Sequence, residues 1–146
     1  MTFKSINPFS QEIIAEYEAL TNSQLNKKLE LAETAFKNWK NTSSQERADK
    51  MQKLANILRA NKEKLGLIIT SEMGKIISES IGEVEKSASN CDYYAEHAEQ
   101  MLKDVYYDTP FKSMSVYDPM GAVFAVMPWN YPFWHVLRYA PPPIMA

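Results

Sequence analysis

The residues Ala122-Val123-Phe124-Ala125-Val126-Met127-Pro128-Trp129-Asn130-Tyr131-Pro132 decide how this chain reads. Ala122 to Met127 is continuously apolar, the pattern of a strand covered on both faces, as in a parallel sheet. Pro128 to Tyr131 form a tight loop, Asn130 suits a helix cap, and Pro132 suits the first turn of a following helix. The expectation is strand, loop, helix: the opening of a parallel βα unit in an α/β protein. A parallel strand needs crossover partners. None follows within the chain, so the sheet is expected to be cut off as it begins.

In open α/β sheets ligands bind beyond the carboxyl ends of the strands, and the Pro128–Tyr131 loop lies at such an end. The Asn130 amide can donate two hydrogen bonds, which suits it to steady an oxyanion. On spacing alone, the plain helix cap is the stronger reading of this residue. Tyr131, Trp134, His135 and Arg138 fall at helical spacing and share one face. Three rings with a guanidinium at the far end suit a channel for an acid-bearing substrate, because arginine grips a carboxylate through two parallel hydrogen bonds. A packed aromatic face with Arg138 paired to a surface acid fits the same spacing.

Upstream, the chain alternates between two periods. Ser5-Ile6-Asn7-Pro8 is extended and then turns, and Ile13 to Tyr17 reads as a short strand, together a hairpin-like edge element. Leu25, Leu29, Ala32, Phe36 and Trp39 form the stripe of an amphipathic helix that opens with a capping box at Thr21 and Gln24. A second helix opens at Ser43 and Glu46 and buries Met51, Leu54, Ala55 and Leu58. A third apolar stretch, Leu65 to Met73, stops at Gly74. The longest helix carries Ile77, Ile81, Val84, Ala88, Cys91, Ala95, Ala98 and Leu102 on one stripe. Val105–Asp108 and Ser113–Tyr117 flank Pro110 as two strands. Pro110 is confined to a turn or an edge.

Composition sets the outer bounds. The 146 residues are 45% hydrophobic and 23% charged, with net charge -2, which fits one folded domain. Lysine and arginine alternate with glutamate along the helices rather than clustering, which argues against a nucleic-acid surface. The Met1–Ile6 start lacks the apolar run of a secretory signal, and Ala122–Trp129 is too short to cross a bilayer. The single cysteine cannot close an intrachain disulfide and suits a reducing compartment, so a cytoplasmic protein is expected. Cys91 lies on a helix stripe and reads as a small buried apolar residue rather than a nucleophile. His97 has no partner at metal-ligand spacing. The four glycines form no phosphate-binding loop.

Met127-Pro128-Trp129-Asn130-Tyr131-Pro132-Phe133-Trp134 closely resembles the Pro-Trp-Asn-Phe-Pro signature of aldehyde dehydrogenases. The likeness extends through Ser5-Ile6-Asn7-Pro8, Glu72-Met73-Gly74-Lys75, Cys91-Asp92-Tyr93-Tyr94-Ala95-Glu96 and Asp118-Pro119-Met120-Gly121, in order. It looks most like the succinate-semialdehyde dehydrogenase branch. The resemblance implies an enzyme dependent on NAD or NADP. In that family a cysteine thiolate attacks the aldehyde, hydride passes to the nicotinamide, and water releases the acid with help from a glutamate base.

By that resemblance, Asn130 supplies the oxyanion-hole amide, Met127, Pro128 and Trp129 border the cofactor, and Tyr131 and Trp134 border the substrate tunnel. Arg138 matches an arginine that takes the substrate's distal carboxylate. Residues 1–104 would be the N-terminal helical part of the cofactor-binding domain, 105–118 a hairpin of the oligomerisation arm, and 119–146 the truncated start of the NAD(P) sheet. The complete enzyme would be a homodimer or homotetramer acting on a small aldehyde, with no metal, nucleic acid or membrane partner. The nucleophilic cysteine, the glutamate base and the remaining cofactor contacts lie downstream in the family, so this N-terminal fragment is expected to be inactive alone. Ala140-Pro141-Pro142-Pro143-Ile144-Met145-Ala146 departs from the family pattern of small residues around one proline, and the extra prolines should end the helix early. The competing reading is a non-catalytic helical interaction module using the Ile77–Leu102 stripe.

Overall fold

The structure is a computed structural model covering Met1–Ala146. It opens with an antiparallel hairpin of β1 (Thr2–Ile6) and β2 (Ile13–Glu18), in register Thr2 to Glu18 and Lys4 to Glu16. The opposed Lys4 and Glu16 side chains pair at 2.8 Å. The turn is held locally, because Asn7 Oδ1 accepts the N–H groups of Phe9 and Ser10 at 2.9 and 3.1 Å.

Four helices follow: α1 (Asn22–Trp39), α2 (Ser44–Ala60), α3 (Lys62–Met73) and α4 (Ile77–Met101). Thr21 and Gln24 form the expected reciprocal capping box. Ser43 accepts the Glu46 N–H at 3.2 Å, but the Glu46 carboxylate turns to Lys50 instead, so only half of a box forms there. Gly74 ends α3 in the left-handed region, at φ 73°, which costs glycine little and other residues about 1–2 kcal/mol.

Helix α4 is the spine. Helices α2 and α3 pack on it, and the buried core joins Met51, Ala55 and Leu58 of α2, Ile69 of α3, and Val84, Ala88, Cys91 and Ala98 of α4. Small side chains on α4 permit this close approach; Ser80 and Ser87 are fully buried beside them. An added Cβ at Gly66 would lie 2.7 Å from Ile81 Cγ1 and 3.2 Å from the Ile81 backbone nitrogen. Most of the α4 stripe is therefore covered from within the chain, which removes it as the partner surface of a helical interaction module.

The α1 stripe behaves differently. None of its residues is buried, and Leu25 and Leu29 are exposed. Its anchoring comes at its end, where Trp39 Nε1 donates to the Ile144 carbonyl at 2.8 Å. Close by, buried Arg47 donates to Thr42 Oγ1 and to the carbonyls of Trp39, Lys40 and Met145, at 2.9 to 3.3 Å. Three carbonyls and a hydroxyl, not a carboxylate, satisfy that guanidinium.

The pair of strands around Pro110 forms as expected: β3 (Val105–Tyr107) and β4 (Ser113–Ser115) are antiparallel. The expected buried strand at Ala122–Met127 does not form. The segment pairs with nothing, and Phe124 and Val126 are 91% and 80% exposed. A central parallel strand is defined by neighbours on both sides, and this chain supplies none. The chain finishes with α5 (Pro132–Tyr139) and the short α6 (Pro141–Met145). The proline run does break the helix after Tyr139, and Pro141 starts a new one at a position that needs no N–H. Leu137 of α5 and Met145 of α6 complete the core against α4 and α2. No helix is long and apolar enough to cross a membrane.

Candidate active site

The loop before α5 is positioned by a residue of α4. The first N–H groups of a helix have no partner within it. Here Glu83 Oε1 accepts two of them, from Phe133 at 3.0 Å and Trp134 at 3.1 Å. Its other oxygen pairs with Lys75 Nζ at 2.5 Å, with both side chains almost wholly removed from solvent. The Lys75 ammonium also lies 3.5 Å from the centroid of the Tyr131 ring. A buried carboxylate is thus satisfied by a cation and a helix N-terminus together, the arrangement that offsets its desolvation. Sequence reasoning missed Glu83 and Lys75, since nothing in local spacing ties residue 83 to residues 133 and 134.

That cap alters the part played by Asn130. The residue at the N-cap is Tyr131, with no side-chain hydrogen bond to the helix, and Asn130 sits exposed in the preceding turn. The expected helix cap is therefore incorrect: the Glu83 carboxylate takes that work from a distance and leaves the Asn130 amide outside the helix. Pro132 takes the first turn, as expected.

Two clefts flank α5. The first, about 450 Å³, lies between α4 and the start of α5 and is lined by Lys75, Glu79, Glu83, Lys86, Tyr131 and Trp134, together with Gly82 and His135. The second, about 400 Å³, is lined by Phe124, Ala125, Val126, Met127, His135, Arg138 and Tyr139. The shared face of Tyr131, Trp134, His135 and Arg138 is thus divided along its length rather than forming one channel. Its first half faces α4; its second half faces the 124–127 segment. His135 borders both. Pro128, Trp129 and Asn130 line neither, and Trp129 is 74% exposed.

Cys91 is a structural residue. It is fully buried in the core, and burial, with a smaller push from the Asp92 charge opposed by Arg59, raises its thiol to about 11. A nucleophilic cysteine needs the opposite shift. His97 stacks on Tyr93 at 4.5 Å between ring centroids. No group of three His, Cys, Asp or Glu side chains is arranged to hold a metal ion.

The sequence profile of the aldehyde dehydrogenase family matches residues 1–146. The chain belongs to the aldehyde dehydrogenase family. A probable NADP(+) succinate-semialdehyde dehydrogenase of Synechocystis sp. is 37% identical across 100% of this chain and 32% of its own length. The NAD(P)+ succinate semialdehyde dehydrogenase Sad of Escherichia coli is 38% identical over 97% of this chain and 31% of its own. Among solved structures, a succinic semialdehyde dehydrogenase from Streptococcus pyogenes in complex with NADP+ superposes with a TM-score of 0.94. It shares 30% identity and covers 98% of this chain and 32% of that one. The chain thus spans about a third of the aldehyde dehydrogenases that it matches. The mixed helix-and-strand fold expected from sequence is that of an aldehyde dehydrogenase portion, although residues 122–127 form no strand here.

Proposed function

We propose that this chain forms part of an NAD(P)-dependent aldehyde dehydrogenase that oxidises an acid-bearing aldehyde, succinic semialdehyde above all, to the carboxylic acid. The observation that carries the reading is the Asn130 amide, released from capping and presented on a turn whose following helix is fixed by Glu83. An amide held in that way can donate to the oxygen of a carbonyl as a thiol adds to it and negative charge develops there. The thiol, the glutamate base and most cofactor contacts belong to the rest of such an enzyme, so the 146 residues by themselves are inactive in this reading.

Met127, Pro128 and Trp129 offer an exposed indole and apolar neighbours beside the same turn. They suit one wall against a nicotinamide and carry no cation for its phosphates. NAD(P), when bound, supplies the two-electron oxidant; these residues shape its border. Tyr131 and Trp134 form the apolar side of the substrate path, and Arg138 takes the distal carboxylate by paired hydrogen bonds. The hairpin of β3 and β4 serves as part of the oligomerisation arm of a homodimer or homotetramer, and the enzyme works in the cytoplasm.

The test is substitution in the complete enzyme. Asn130→Ala should slow acylation on the order of 10²-fold, the effect of losing one oxyanion donor. An unchanged rate removes Asn130 from the mechanism. Arg138→Ala should weaken succinic semialdehyde far more than an uncharged aldehyde; equal losses would make the arginine structural.

A further inference from the structure

We propose that Lys86 is a second carboxylate-binding cation of the substrate site, acting from the α4 side. The inference rests on the acid-aldehyde reading above and deepens it. The cleft that holds Tyr131 and Trp134 does not contain Arg138. Two lysines line it. Lys75 is already neutralised by Glu83 and stacked on Tyr131. Lys86 has no carboxylate within ion-pair distance anywhere in the chain, and its ammonium stands 3.9 Å from the centroid of the Trp134 ring.

A cation over an indole is attracted to the ring but keeps donors to spare. An ammonium has three N–H bonds, and a ring face occupies at most part of that capacity. The cleft's other unpaired charge is Glu79, seven residues and two helical turns from Lys86 along α4, roughly 10 Å away at 1.5 Å per residue. The Lys86 end is therefore the electropositive end of the cleft. An aldehyde chain lying along the Tyr131 and Trp134 rings would meet Lys86 with its far carboxylate. His135 borders both clefts, so the carboxylate end of the path lies between Lys86 on the α4 side and Arg138 beyond His135.

The experiment compares kcat/KM for succinic semialdehyde and for butanal, an uncharged aldehyde of equal carbon number, in the complete enzyme. Lys86→Met should lower the acid-to-butanal ratio by about tenfold or more, through KM for the acid, the scale of a lost charge-assisted hydrogen bond. Butanal constants should stay within twofold, which also reports intact folding. Lys86→Arg should retain most of the preference. If the wild-type enzyme prefers the acid and Lys86→Met keeps that preference, Lys86 is overturned while the proposed function stands. If Lys86→Met weakens both aldehydes alike, and Lys86→Gln does the same, the residue is structural and the proposal fails. A wild-type enzyme that oxidises butanal without preferring the acid overturns Lys86 and the choice of substrate together. Absence of any aldehyde oxidation overturns the proposed function as well.

Discussion

Glu83 and Phe133 stand fifty residues apart in sequence and 3.0 Å apart in space, joined by a carboxylate that accepts the first free N–H of α5. Glu83→Ala would strand the buried Lys75 ammonium and release two helix N–H groups at once. Breaking a buried pair in that manner costs about 3–5 kcal/mol. Glu83→Gln keeps an acceptor for the helix and should cost less. Chemical denaturation of the two variants in the complete enzyme measures this, and an alanine variant as stable as wild type would show the contact to be idle.

Gly66 and Gly82 make a matched pair of tests. Gly66→Ala drives a methyl into Ile81, and overpacking of this kind costs about 1–3 kcal/mol. That exceeds the roughly 0.5–1 kcal/mol that alanine gains over glycine inside a helix. At Gly82 an added Cβ meets nothing within 4 Å, so Gly82→Ala should raise stability by about 0.5–1 kcal/mol. Thermal midpoints moving in the same direction would contradict the α3–α4 geometry.

Cys91 links pH to stability. Its folded thiol lies near 11, above the ordinary value of 9.0, because burial opposes the thiolate. A raised acid favours folding below the unfolded value, and that contribution is lost as pH climbs from about 9 through 11. Stability should therefore decline across that window, and less so in Cys91→Ala. Iodoacetamide at pH 8 should label the thiol only after unfolding. Rapid labelling of the native chain would place Cys91 outside the core.

The unpaired Ala122–Met127 segment and the bare α1 stripe together expose Phe124, Val126, Leu25 and Leu29. Apolar surface of that extent favours association. The 146-residue chain should sediment as larger species as its concentration rises, and Val126→Asp should reduce this. A strictly monomeric chain at high concentration would be the contrary result.

What could be read from the residues was local. The Thr21–Gln24 capping box, the Gly74 stop, the turn around Pro110 and the apolar stripe of α4 each rest on contacts a few residues apart, and each is present. The Ala122–Met127 strand was misjudged because continuous apolar character reports what a segment would bury, and the burying neighbours must exist. Asn130 was a cap by its spacing, yet Glu83 outcompetes it from another helix. The common face of Tyr131 to Arg138 was legible from helical periodicity. Its division into two clefts was not, because that depends on where residues 124–127 cross.

Arg47 has a consequence for the order in which the molecule assembles. Three of its acceptors lie within eight residues of it, and the fourth, the Met145 carbonyl, lies 98 residues further along. During synthesis the nearby acceptors exist almost at once, while the guanidinium must stay partly hydrated until the distant one emerges. Closure of that corner therefore cannot precede the emergence of the α6 turn, which brings the last acceptor.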